Sequence, residues 1–161
     1  ASGCRNITNR GGNIMRNEKA RMMTRSAVVA GLYVALTMIN PIGYGVFQFR
    51  ISEIICLLPF WWPKYRFACV LGVIIANLFS PLGVIDVLTG SFIALVAYWG
   101  IARISNKIID ITLYSLLCGV LVGTELFAVF GSPFWLNFLS VSASQLVVCI
   151  LGLFILRKLK L

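Results

Sequence analysis

Polar and apolar positions are distributed along this chain in long blocks. From residue 27 onward, six predominantly apolar runs are separated by short segments with glycine, proline or charged residues, and they cover about residues 27–42, 47–62, 67–79, 84–101, 108–130 and 134–156. The second and third runs are short and are separated at Pro63. Since a helix needs roughly 20 apolar residues to cross a bilayer, the pattern predicts an all-α membrane bundle of six transmembrane helices.

Residues 1–14 precede this apolar part and differ from it in composition. They are polar and contain glycine, and Met15 is followed by a cationic segment with Arg16, Lys19 and Arg21. We expect Met15 to be the natural start, and residues 1–14 to be a disordered tail that is either translated leader or a cloning remnant. Residues 15–161 then form a single six-helix membrane domain.

Composition agrees with a membrane protein and argues against several other classes. Hydrophobic residues make up 60% of the chain and charged residues 12%, whereas soluble domains carry about twice that charge. The chain has no histidine, and its five cysteines show no paired spacing, so we expect no metal, no cofactor and no histidine-based catalysis. It also lacks a GxxxxGK[ST] loop, so any ATP would be hydrolysed by partner subunits. Because the sequence offers no histidine, no metal cluster and no nucleophile paired with a base, the chain is not expected to be an enzyme.

The basic residues indicate the orientation of the predicted helices. If six spans alternate across the membrane, eleven of the twelve lysines and arginines from Met15 onward lie on the side of the N-terminus. Positive loops favour the cytoplasmic side, so both termini are predicted to be cytoplasmic. The net charge of +9 therefore reflects membrane topology, and no nucleic-acid partner is expected. Arg50 is the exception on the outer side.

Polar residues at membrane depth gather in the outer half of the predicted bundle. A charged or amide group facing lipid costs several kcal/mol, so these groups are expected to face one another or a wet cavity. The alternative is that they cap helix ends, with Arg50 and Glu53 paired at i and i+3. Glu125 fits this alternative least, because it lies inside an apolar run. Asp110 is interpreted as a first-turn helix acid. The outer residues are Asn40, Arg50, Glu53, Asn77, Asp86, Glu125, Asn137 and Gln145.

The first span carries small residues on one face. Ala27, Gly31 and Ala35 recur at intervals of four, which permits close approach by another helix. That helix could belong to a partner protein or to this protein's own bundle, and the spacing does not distinguish the two.

Two segments of the chain resemble a known family. Residues 47–53, FQFRISE, and residues 77–91, NLFSPLGVIDVLTGS, are similar to the QueT family of queuosine-precursor transporters, and the resemblance extends over residues 15–161. It implies a substrate-binding (S) component of an energy-coupling factor importer in the bacterial plasma membrane. Such a component captures a 7-deazaguanine, most simply preQ1, from outside. It then docks on a membrane coupling subunit that works with two ATPase subunits, and the stripe of Ala27, Gly31 and Ala35 would be the docking face.

The chemistry of preQ1 can be compared with these residues. Its guanine edge presents two N–H donors suited to a carboxylate, and its aminomethyl cation favours a second acid. Amide side chains can form hydrogen bonds with the remaining polar groups of the ring, and aromatic side chains can form the apolar walls of the site. Arg50 is expected to orient Glu53. Which acid meets which end of the ligand stays open. The expected substrate-binding residues are Gln48, Arg50, Glu53, Asn77, Asp86, Glu125, Trp135, Asn137 and Gln145.

Two other functions remain possible at this stage. An S component for another vitamin or nucleobase would keep the architecture and change the ligand. A standalone channel or proton-coupled carrier would use Glu53 and Glu125 as a proton relay and would need no ATPase partner. The outer clustering of the polar residues favours the importer over the carrier.

Overall fold

The computed structural model describes residues 2–40, 50–104 and 106–158, with side chains from residue 16 onward. These residues form helices and no strand. Short 3-10 helices at Pro63–Tyr65 and Ile101–Arg103 connect longer elements. The α-helices are α1 (Ser2–Ile39), α2 (Glu53–Cys56), α3 (Leu58–Trp61), α4 (Arg66–Leu78), α5 (Val84–Trp99), α6 (Lys107–Phe130) and α7 (Phe134–Lys158).

Four helical segments in the described residues are long and apolar enough to cross a membrane: Arg16–Ile39, Val84–Arg103, Lys107–Phe130 and Phe134–Lys158. This confirms the predicted all-α class and a multi-pass membrane protein. Residues 2–14, expected to be a tail, are part of α1 in the structure. Their origin as leader or cloning remnant stays a prediction.

The second apolar run does not form one continuous helix, and that expectation was wrong. Its described part contains α2 and α3, each of four residues, with a break at Leu57. Pro59 explains the break, because it has no N–H for the hydrogen-bond ladder of α2 but is tolerated in the first turn of α3. The third run forms α4, whose 13 residues span about 20 Å, less than the roughly 30 Å of a bilayer core.

Glycines set the closest helix contacts. A Cβ at Gly72 on α4 would lie 3.3 Å from the Ala30 carbonyl oxygen and from the Tyr33 side chain of α1. On α6, Gly119 faces Ser142 of α7 in the same way. Small residues at these positions allow the helices to pack closely, as is usual in membrane bundles.

The apolar core lies between α3, α5, α6 and α7. The Phe60 ring contacts the rings of Tyr98 and Tyr114, with centroids 6.0 and 5.8 Å away. Outward-pointing side chains are also largely apolar, as at Leu88 and Phe154, which is the surface a lipid-facing bundle requires.

Helix α6 has an acid in its first turn, as predicted. Asn106 caps the helix by accepting a hydrogen bond from the Ile108 N–H at 3.0 Å. Asp110 lies in the first turn and pairs with Lys107, whose Nζ is 3.0 Å from its Oδ2. An acid in the first turn of a helix is favoured by the helix macrodipole, as expected for Asp110. Asp110 is not part of the polar clusters described next.

Candidate functional site

Glu53, in the first turn of α2, is held by donors from three other helices. Its Oε1 accepts a hydrogen bond from the Tyr33 hydroxyl at 3.3 Å. Its Oε2 accepts one from the Tyr114 hydroxyl at 2.6 Å and one from Gln145 Nε2 at 3.1 Å. A carboxylate offers about four acceptor positions, so these three donors nearly saturate it. Glu53 therefore ties α1, α6 and α7 to α2.

A second polar cluster lies between Arg50, α4 and α5. A guanidinium nitrogen of Arg50 is 3.6 Å from Asp86 Oδ2. Asn77 Nδ2 donates to the Asp86 backbone carbonyl at 2.9 Å. Asn77 Oδ1 and Asp86 Oδ2 are buried and have no hydrogen-bond partner among the described residues. Arg50 thus forms its observed ion pair with Asp86, while its expected role in orienting Glu53 stays a prediction.

Glu125 on α6 is buried, with 5% of its surface exposed. Neither carboxyl oxygen has a hydrogen-bond partner in the described part of the chain. Asp86 and Arg50 lie within electrostatic range, and Thr89 approaches without hydrogen-bond geometry. Since buried polar groups in proteins are nearly always paired, these two unpaired oxygens make Glu125 a candidate for contact with a ligand.

The two clusters share an enclosed cavity of about 40 Å³. Val73, Val122 and Val141 contribute apolar walls. Because a water occupies about 30 Å³ and ligand pockets are commonly about 300–1,000 Å³, the lining side chains must move apart to admit a heterocycle. The polar residues lining the cavity include Tyr33, Arg50, Glu53, Asn77, Asp86, Tyr114 and Gln145.

Several residues expected at the site lie elsewhere. Asn137 is fully buried, but its Nδ2 bonds to the Ser132 carbonyl and hydroxyl at 3.3 and 2.7 Å, so it holds the α6–α7 connection. Trp135 is 72% exposed and packs against Phe134 and Phe138. Neither lines the cavity. Gln48 lies outside the described residues. The cavity therefore joins Arg50, Glu53, Asn77, Asp86 and Gln145. Glu125 is not in the lining, but it lies within electrostatic range of Asp86 and Arg50.

Sequence reasoning missed Tyr33 and Tyr114, which supply two of the three donors to Glu53. Both are buried within apolar runs. The signal was available, because a tyrosine hydroxyl buried in an apolar helix usually has a hydrogen-bond partner.

The small-residue stripe on α1 faces outward. Ala27, Gly31 and Ala35 are all exposed, and a Cβ added at Gly31 would meet nothing within 4 Å. The helix packs internally through a different face, where Ala30 and Tyr33 are buried. The stripe is thus free of close packing against the described parts of the bundle.

A bundle of apolar helices around an interior polar site indicates a multi-pass membrane protein and is compatible with the transporter class. The family model described as QueT transporter matches residues 23–161, and the chain belongs to this family. A relative from Lactococcus lactis subsp. cremoris (strain MG1363), the Queuosine precursor transporter QueT, is 28% identical over 162 residues. That alignment covers 90% of this chain and 95% of the relative. No solved structure matches the chain significantly. The family resemblance expected from the sequence is confirmed.

Proposed function

We propose that this protein is the substrate-binding subunit of an energy-coupling factor importer that captures a 7-deazaguanine queuosine precursor, most simply preQ1, from outside the cell. The name of the Lactococcus lactis relative, Queuosine precursor transporter, supports the ligand class. The observation that carries the proposal is the enclosed cavity with polar residues from several helices. The hydrogen-bond acceptors and donors that line this cavity suit a small heterocycle that carries both donors and acceptors.

The charge of the site supports a cationic ligand such as preQ1. In their ionised forms, Glu53, Asp86 and Glu125 are opposed by Arg50 alone among the described residues that line or adjoin the cavity. The resulting net negative charge favours a ligand with an aminomethyl cation, since unpaired charges are costly at membrane depth. It disfavours an anionic vitamin for the same reason.

The proposed topology has six spans with both termini in the bacterial cytoplasm. The four long helices account for four spans, and the segment with α2 and α3 and the short α4 account for the other two. The basic clusters at Arg16–Arg25, Lys64–Arg66, Arg103–Lys107 and Arg157–Lys160 then lie on the cytoplasmic side, as the positive-inside rule favours. The cavity residues lie toward the outer side.

The proposed partners are a membrane coupling subunit and two ATPase subunits. The exposed stripe of Ala27, Gly31 and Ala35 supports the docking face, because small residues permit close approach of a partner helix. The chain itself carries no nucleotide-binding GxxxxGK[ST] loop, so ATP hydrolysis is assigned to the partners.

Calorimetry on the purified protein in detergent tests the ligand. We expect preQ1 to bind more tightly than preQ0, queuine or guanine, and unrelated vitamins to give no heat. Tight binding of another vitamin with no response to any 7-deazaguanine would contradict the proposal.

Reconstitution in liposomes tests the mechanism separately. We expect uptake of labelled preQ1 only when the coupling subunit, both ATPases and ATP are present. Uptake by the protein alone, driven by a proton gradient, would instead show that the protein is a standalone proton-coupled carrier.

A further inference from the structure

Two buried glutamates differ in how many acceptor positions remain: Glu53 lines the cavity, and Glu125 lies outside the lining but within electrostatic range of Asp86 and Arg50. Glu53 accepts three hydrogen bonds, from Tyr33, Tyr114 and Gln145. Glu125 accepts none from the described residues, although 95% of its surface is buried. A two-point contact with a ligand needs two free oxygens on one carboxylate. Glu125 has them, and Glu53 would have to give up existing bonds.

Other unsatisfied acceptors lie on the same side of the site. Asn77 is 99% buried and lines the cavity, yet its Oδ1 has no hydrogen-bond partner in the described ranges. Asp86 Oδ2, which faces Arg50, is also without a hydrogen bond. This side of the site therefore has more acceptors than donors, and a ligand that presents N–H groups would satisfy them.

Arg50 supplies the complementary donor. Its guanidinium lines the cavity beside Asp86 and lies within electrostatic range of Glu125. An arginine has five N–H donors and no acceptor. A carboxylate next to a guanidinium matches a ligand edge that carries two N–H donors followed by a carbonyl oxygen.

We infer that Glu125 binds the N1–H and exocyclic amino group of the 7-deazaguanine ring through its two oxygens, with Arg50 facing O6. Carboxylates recognise paired N–H donors in this two-point geometry. Glu53 then acts as a positioning residue that holds Tyr33, Tyr114 and Gln145 around the rest of the ligand. The inference rests on the proposed function and assigns an orientation to the same ligand.

The test removes the amino group from the ligand and the charge from the protein in turn. Calorimetry would compare 7-deazaguanine with 7-deazahypoxanthine, which lacks the exocyclic amine, on the parent and on Glu125→Gln. On the parent we expect loss of the amine to weaken binding about tenfold or more, as for a hydrogen bond to a charged group. On Glu125→Gln the two ligands should differ by less than about threefold.

The matched control is Glu18→Gln, which makes the same change at an exposed acid near the N-terminus and should keep the full tenfold difference. Glu125→Ala, which removes the acceptor without adding an amide, should lose the difference as Glu125→Gln does. An undiminished difference in both Glu125 variants would overturn the inference while leaving the proposed function intact. If the parent binds neither ligand nor preQ1, the proposed function and this inference both fail.

A second comparison excludes the opposite orientation. Because preQ0 and preQ1 share the guanine edge, Glu125→Gln should weaken both by the same factor. A loss confined to preQ1 would show that Glu125 faces the aminomethyl cation, and would overturn the inference. A ligand-free melting temperature at or above that of the parent would show that the variant folds and that Glu125 is not needed for structure.

Discussion

Glu53 and Glu125 are both buried, yet their surroundings give them different roles. Three donors from α1, α6 and α7 surround Glu53, so its carboxyl oxygens are hydrogen-bonded within the protein. Glu125 has no hydrogen-bond donor in the described part of the chain, and an unsatisfied buried group costs about 1–3 kcal/mol or more. Glu53 therefore contributes to stability, whereas Glu125 lowers it in the absence of ligand.

Tyr114→Phe should destabilise the protein, because it removes the shortest hydrogen bond to Glu53, 2.6 Å long. Hydrogen bonds to charged groups contribute about 1.5–3 kcal/mol, and part of this should appear as a lower melting temperature in detergent. Tyr98→Phe is the matched control. Tyr98 is equally buried and also contacts Phe60, but its hydroxyl has no hydrogen-bond partner among the described residues.

We expect Tyr98→Phe to leave the melting temperature unchanged or to raise it slightly. The two substitutions remove the same atom from neighbouring positions in one core, so packing effects should cancel between them. Equal melting temperatures for the two variants would contradict the role assigned to Glu53.

The residues of the site were predictable to the extent that they are chemically unusual in a membrane helix. Arg50, Glu53, Asn77, Asp86 and Gln145 stood out as charged or amide groups in apolar surroundings, and the structure places them on one cavity. Which face of a helix points into the bundle is harder to predict, because in a bilayer both the packed and the lipid-facing sides of the helix are apolar.

The seventh helix illustrates this limit. Both sides of α7 are apolar, and Trp135 faces outward while Gln145 faces the cavity. Asn137 is buried, as its polarity suggested, but it bonds to the preceding turn through Ser132. Such a local partner follows from loop geometry, which no spacing rule predicts.

At the scale of elements, Gly90 on α5 allows Asn77 of α4 to reach across to the Asp86 carbonyl. A Cβ at Gly90 would collide with Asn77 Nδ2, which donates that 2.9 Å bond. We expect Gly90→Ala to lower the stability by about 1–3 kcal/mol, as overpacking commonly does, and to weaken preQ1 binding. Thermal unfolding and calorimetry would measure both effects.

Gly31→Ala is the control for this substitution. Gly31 also lies within a helix, but an added Cβ meets nothing within 4 Å. It should leave binding unchanged and should not destabilise the protein, since alanine is the better helix former by about 1 kcal/mol. If both variants bound preQ1 like the parent, Gly90 would have no part in shaping the site.

The outward stripe on α1 leads to a prediction about transport. Ala35→Leu should reduce ATP-driven uptake about tenfold or more, equivalent to about 1.4 kcal/mol of lost docking, because leucine keeps the partner helix away. Binding of preQ1 to the isolated protein should not change, since Ala35 is exposed. The control is Ala143→Leu, the same change at an exposed position of α7, for which we expect normal uptake. Equal uptake by the two variants would contradict docking through this face.

Helix boundaries were predictable where length and apolarity agreed. The runs at 84–101, 108–130 and 134–156 correspond to α5, α6 and α7 within about two residues. The second run shows that apolar composition alone does not predict one continuous helix. Pro59 lies inside it, and proline in a helix interior costs about 3 kcal/mol, which favours two short helices.

At the scale of the whole molecule, the short helices and the cavity belong together. The segment 50–62 brings Arg50 and Glu53 into the bundle interior, where a continuous helix would place them on faces set by its own periodicity. The cavity of about 40 Å³ is too small for a 7-deazaguanine. Capture therefore requires the surrounding elements to separate and close again, which short helices with few hydrogen bonds of their own can do at lower cost than long ones.

The orientation of the bundle can be tested with single cysteines. Pro81, between α4 and α5, and Lys158, at the end of α7, are both exposed and should lie on opposite sides of the membrane. The native cysteines at 56, 69, 118 and 149 are buried, and Cys4 would be replaced by serine. In intact cells, a membrane-impermeant maleimide should label Pro81→Cys and should label Lys158→Cys only after permeabilisation. The expected orientation follows from the positive-inside rule, which counts basic residues near helix ends. Labelling of Lys158→Cys from outside would show that the topology is reversed and that the cavity lies toward the cytoplasmic side. An importer that captures its ligand outside cannot use a cavity on that side.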